Sequence, residues 1–216
     1  GAAASMAGKG GGEKPVAEPF CVQATEFVAK PRQISMRKGI DLAPLDVLNP
    51  NDANWLRALV WPGSTELGRL ARLDAGIEAF RQVSPLIETR NVSALADDHD
   101  LFATSHAGHE GGVSKIAFQT VVKHYFPPRV QRDYEETMNG WLSSGPAGRA
   151  IWLEQEFDPT RRSDLRNSTV TIHWFDGQEV QSRVIGWTHA HAIDLLLHDE
   201  IDATFDSIRR ASSSVN

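Results

Sequence analysis

The sequence contains one cysteine, Cys21, in 216 residues. A single thiol excludes an internal disulfide and any cysteine-rich zinc site. Positive charge is in deficit as well: 22 Lys and Arg stand against 28 Asp and Glu, a formal net charge of −6. Nonspecific nucleic-acid binding draws its affinity from counterions released by clustered Lys and Arg, so nucleic acid is not an expected partner. Long apolar runs are missing too. None approaches the roughly 20 residues that span a bilayer, and no basic-then-apolar leader is read, so no membrane partner is expected. What remains is ordinary for a globular chain: 41% hydrophobic and 23% charged residues, enough to bury a sizeable core. The expectation is a soluble, cytoplasmic protein.

The chain opens on GAAASMAGKGGGEKPVAEP, small and Gly-rich, with Met6 as the expected natural start. Lys9 in GKGGG invites a phosphate-loop reading, but no strand precedes it, no helix follows and no Lys-Ser/Thr closes it. The expected organisation is a flexible tail over 1–19, one α/β domain over 20–209 and a flexible tail over 210–216.

Alternating, β-favouring residues predict a strand over Phe20–Phe27, and a short one is expected near Ile40. Asn51 or Asp52 is expected to cap a short helix carrying Trp55, Leu56, Leu59 and Val60, which Trp61-Pro62-Gly63 ends. A longer helix follows Ser64, with Leu67, Leu70 and Ile77 in one apolar stripe. Ser84–Val92 reads as a strand and Asp97–Gly112 as a polar loop. Lys115–Val122 reads as a buried strand, then Pro127-Pro128 opens a helix with Val130, Tyr134, Met138, Trp141 and Leu142 at helical spacing. Ala150–Phe157 is a further strand. Thr169–Trp174 and Val180–Trp187 form a hairpin around Asp176-Gly177. There the period of two favours an odd loop that sets Trp174 against Val180 and Ile172 against Ser182. Ala190–Arg209 reads as a helix.

This order implies an α/β fold: a Rossmann-like, three-layer arrangement with a mostly parallel sheet and an antiparallel C-terminal hairpin. Two segments in sequence, Arg37-Lys38-Gly39-Ile40-Asp41-Leu42-Ala43-Pro44-Leu45-Asp46 and Trp55 to Pro62, carry a more specific likeness. With Arg69-Leu70-Ala71-Arg72-Leu73, Thr120 to Pro127 and Trp152-Leu153-Glu154-Gln155-Glu156, they resemble a bacterial family known only as a domain of unknown function. The resemblance covers about residues 20 to 198. It implies an incomplete class I methyltransferase-like fold whose cofactor would be S-adenosylmethionine. Longer members carry an acidic-Gly-Ala-Ser-Ala-Gly loop upstream of the Asp41-type segment. This chain does not contain that loop, so the expectation is a truncated or degenerate core that binds no cofactor by itself. A sheet left open by the absent part further predicts a homodimer.

Several residues are candidates for chemistry. Asp41 and Asp46 could accept hydrogen bonds from ribose hydroxyls, or serve only as turn and cap carboxylates. Trp61 could stack on a planar ligand, and Arg69 and Arg72 could hold an anion; the alternatives are a core Trp and solvated arginines. His124 follows a buried strand and could act as a general base, with Glu156 in a comparable place at the end of its strand. The alternative for both is a structural hydrogen-bonding role. His106-x-x-His109 with Asp97, Asp98 and Asp100, and His189-x-His191 with Asp194, offer N/O ligands without a spacing that fixes a third His, so no metal is expected. Three functions stand in order: a truncated or degenerate S-adenosylmethionine-dependent methyltransferase-like core, whose reaction if active would be methyl transfer with His124 or Glu156 handling a proton; a noncatalytic binding or assembly module on the same scaffold; and a metal-dependent hydrolase.

Overall fold

The computed structural model describes residues 14–16, 34, 36–60, 66–83, 85–91, 115–161, 164–189 and 195–214. The expected strand over 20–27, the polar loop over 97–112 and Trp61 lie outside these residues. Where one domain over 20–209 is expected, the chain divides into two compact units, residues 32–97 and residues 1–31 with 98–216.

In the smaller unit, strands β2 (Lys38–Asp41) and β3 (Leu86–Thr89) pair in parallel. A parallel pair needs a crossover, supplied here by helices α1 (Pro50–Ala58) and α2 (Glu66–Val83). The α1 cap is Asn49, whose side chain accepts the Asn51 N–H, with Pro50 in the first turn. The expected cap, Asn51 or Asp52, sits too late in the chain because Pro50 already fits the helix. The unit closes on Val47, Ala53 and Ile77, with Leu56, Leu73 and Phe80 packed against them. Leu70 of the expected stripe is exposed. The buried line runs instead through Leu73, Ile77 and Phe80, which also have helical spacing.

The larger unit is built on six strands: β1 (Lys14–Val16), β4 (Lys115–Thr120), β5 (Ala150–Phe157), β6 (Ser168–Phe175), β7 (Val180–Thr188) and β8 (Leu195–Leu197). They form one sheet in the order β1-β8-β7-β6-β5-β4. β4 and β5 are parallel; β5, β6, β7, β8 and β1 pair antiparallel in turn. The sheet is therefore mixed, with antiparallel pairing reaching well beyond the expected hairpin. Among the described residues, only the β4–β5 connection carries an α-helix between neighbours in this sheet: α3 (Pro128–Ser143). The later strands follow by short connections, which favour antiparallel pairing.

Helix α3 buries Tyr134, Met138, Trp141 and Leu142, and Tyr134 meets Trp152 of β5 edge to face. On the opposite face, Ile208 and Ala211 of α4 (Ile201–Ser213) join Ile172, Trp174, Ile185 and Ala147. Gly148 lets α4 approach: it holds φ +65°, and a Cβ there would lie 2.6 Å from the Ile208 carbonyl oxygen.

Three expectations change. β8 and a later helix replace the single helix over 190–209, since three leucines pair with β7 before α4 starts. Ala211 is buried, so α4 continues into the expected C-terminal tail, and β1 lies inside the expected N-terminal one. The hairpin loop spans four residues, Asp176–Glu179. It sets Trp174 against Gln181 and His173 against Ser182. The Asp176 carboxylate fixes that length by accepting the N–H groups of Gln178 and Glu179.

Candidate functional site

Side chains alternate along a strand, so Trp152, Glu154 and Glu156 share one face of β5. The register places His173 beside Trp152, Ser182 beside His173 and Gln119 beside Glu154. A polar row thus forms on the face that α3 covers.

Glu154 is its centre. Lys123 Nζ lies 2.9 Å from Glu154 Oε2, and also 2.9 Å from Glu135 Oε1 of α3. His173 Nε2 lies 3.1 Å from Glu154 Oε1, and His173 Nδ1 lies 2.6 Å from Ser182 Oγ. The imidazole stacks on Trp152, centroids 4.3 Å apart. Burial pushes the Glu154 carboxyl up, but His173 and Lys123 together outweigh it and hold the group below its usual range. Burial opposes the Lys123 charge, and Glu154 and Glu135 reverse that effect and raise it. Burial, then the charges of Glu154 and Glu156, raise the Tyr134 phenol. Tyr134 remains neutral and donates to Gln119 Oε1.

A second feature adjoins this row at the carboxyl end of β4. Val121 holds φ +52°, a conformation that crowds a β-branched side chain. Its N–H donates to the Gln155 carbonyl at 2.7 Å. The next two amides, Val122 and Lys123, both donate to Glu156 Oε1, at 2.9 and 3.0 Å, and Gln119 Nε2 donates to the same oxygen. Glu156 thereby pins a strained turn that continues into a 3-10 helix over Lys123–Tyr125.

His124 and Glu156 come together at this turn. His124 is exposed, its ring edge-on to Tyr125 and to Phe157, while the Glu156 oxygen nearest the turn is engaged by three donors. In the other unit, Asp41 Oδ1 accepts the Ala43 N–H and Asp46 Oδ1 accepts the Leu48 N–H, both turn geometries. Arg69 and Arg72 lie on α2, Arg69 half-buried and Arg72 exposed. Among the described residues no group of three or more metal-capable side chains occurs. His106, His109, His191 and Asp194 lie outside them. No described helix is long and apolar enough to cross a membrane.

Sequence reasoning did not reach Lys123, Glu154, His173 and Ser182. The usable signal was two glutamates two residues apart in a strand otherwise rich in apolar residues, which places both on one face.

Removing the Glu156 carboxylate should loosen the turn. Glu156→Ala is expected to cost about 2 kcal/mol, typical of hydrogen bonds to a charged acceptor. Hydrogen exchange should show Val122 and Lys123 amides losing protection while those of β6 keep theirs.

Over residues 10–195 the chain matches the model of a family described as an uncharacterized protein conserved in bacteria (DUF2332), and it belongs to that family. No curated protein and no solved structure matches it.

Proposed function

We propose that the protein is a small-molecule-binding module on a methyltransferase-like core, with the turn after β4 as its ligand-facing rim. The observation carrying this reading is the strained Val121 turn at the carboxyl end of a parallel strand pair, where α/β sheets receive ligands. Strain held in place by a carboxylate is what a preorganised binding turn requires. The residues suit an adenosyl group in one respect: Tyr125 is 78% exposed beside His124, offering an aromatic surface to a planar base. When bound, S-adenosylmethionine would supply an electrophilic methyl group. His124 would then line the rim and could take a proton, and Glu156 would act by positioning the turn.

This chain carries no acidic-Gly-Ala-Ser-Ala-Gly loop to hold the methionine part, so binding by the chain alone is expected to be weak. Titration with S-adenosylhomocysteine, followed by amide resonances, tests both halves of the reading. Saturable shifts confined to residues 121–126, with a dissociation constant near ~1 mM, are expected. Low-micromolar affinity would mean that the ligand site lies elsewhere. A turn that never responds would end the proposal.

A further inference from the structure

The buried polar row contains a proton relay that the ligand-facing turn does not use. Ser182 stands exposed on β7, and its Oγ lies 2.6 Å from His173 Nδ1. The other ring nitrogen lies 3.1 Å from a Glu154 oxygen. An ionised carboxylate at Nε2 requires a proton on that nitrogen. In the neutral ring Nδ1 therefore has a free lone pair and accepts from the Ser182 hydroxyl. Stacking on Trp152 fixes the ring plane, and Lys123 fixes the carboxylate. Nucleophile, base and orienting acid are thus in hydrogen-bonded sequence, the arrangement that activates a serine for acyl transfer. The two ring nitrogens exchange the roles they take in the chymotrypsin-type triad, where the acid sits at Nδ1.

We propose that Ser182 is an activated nucleophile toward small, unhindered carboxylic esters, with His173 as its general base and Glu154 and Lys123 as positioning residues. Ser182 Oγ attacks the ester carbonyl carbon as its proton passes to His173 Nδ1. The carbonyl–alkoxy bond breaks, and the departing alkoxide takes that proton from His173 and leaves as the alcohol. Water, deprotonated in turn by Nδ1, attacks the acyl-serine, releasing the carboxylic acid and restoring the Ser182 hydroxyl. Glu154 stays ionised throughout and stabilises the imidazolium that forms. Ser182 sits on the part of β7, residues 180–184, that pairs with β6 in unbroken register from the capped four-residue loop, so relay geometry is fixed before a substrate arrives.

A fluorophosphonate probe tests this on the full chain. Its phosphorus forms a bond to Ser182 Oγ and loses fluoride, and the serine proton leaves through His173. One adduct per chain is expected by intact mass, mapped to the β7 peptide. Ser182→Ala, an exposed and conservative change, should abolish the adduct. Glu154→Gln should slow labelling about 100-fold, the scale of positioned general-base catalysis, and displace its pH profile. Because substitutions at the buried His173 and Glu154 could unfold the chain, Ser182→Cys provides an independent reading: the thiol it introduces should react with iodoacetamide faster near neutral pH than Cys21. Absence of any adduct, an adduct that persists in Ser182→Ala, or an introduced thiol no more reactive than Cys21 would overturn the proposal.

Discussion

Glu154→Leu is expected to remove about 3–5 kcal/mol of folding free energy, the range for breaking a buried ion pair from one side. The Glu154 side chain is 9% exposed and that of Lys123 is 13%, so solvent cannot replace the lost partner. The substitution leaves the Lys123 ammonium with Glu135 alone and His173 Nε2 facing hydrocarbon. Urea titration should show a lower midpoint with an unchanged slope. Lys123→Met with Glu154→Leu should be less damaging than the sum of the two single changes, because neither charge is then stranded. The pH dependence has a defined sign. The folded Glu154 carboxyl is held below its ordinary value of 4.5, so its contribution is full above that value and is lost as pH falls through the lowered one. Lys123 and Tyr134 are raised above 10.5 and 10.0, so their contributions are full below those values and decline as pH rises past them. Wild-type stability should therefore form a plateau, and Glu154→Leu should flatten its acid edge.

Trp174→Ala should be comparably severe, at about 3–5 kcal/mol. Trp174 is 1% exposed and packs among Ile172, Ile185, Ile208, Ala211 and Ala147, where α4 meets the sheet. Truncation leaves a cavity between a helix and a strand, neither of which can collapse to fill it. The midpoint of thermal unfolding should fall by about 10 °C, from the per-kcal shift of domains this size. Trp55→Ala supplies the contrast. Trp55 is 59% exposed on α1, and its loss should change stability by less than about 1 kcal/mol. Because the chain has two compact units, the Trp174 effect should be read from signals of the larger one, not from a single global transition.

Helix α3 was legible because its buried residues repeat at 134, 138, 141 and 142, the spacing that a helix on a sheet imposes. AIWLEQEF likewise reads as a strand, and its bounds coincide with β5. The hairpin is different. Alternation sets register only when one face is buried and the other is wet, and here His173 and Trp174, adjacent and on opposite faces, are both buried. The register that alternation favours puts Ile172 beside Ser182. The observed register, shifted by one residue, puts His173 there instead. The relay was therefore hidden by a single step of register, decided by the Asp176 cap and not by hydrophobic pattern. β8 escaped notice for another reason: three leucines are too few to show any period. Glu156 was legible only as a candidate at the end of its strand; its hydrogen bonds to the Val122 and Lys123 amides depend on the backbone of Val121, which no side-chain pattern reveals.

The pairing of β1 with β8 joins residues 14–16 to residues 195–197. During synthesis, β5, β6 and β7 leave the ribosome as neighbours and can zip together through short local closures. The β1–β8 rung must wait until residues 195–197 have been made. Its closure carries a loop entropy that only a few backbone hydrogen bonds repay. That rung is thus the last piece of the sheet to be assembled. The earliest-made strand stays unpaired until the latest-made one arrives, while the strands between them can pair in the order in which they are made.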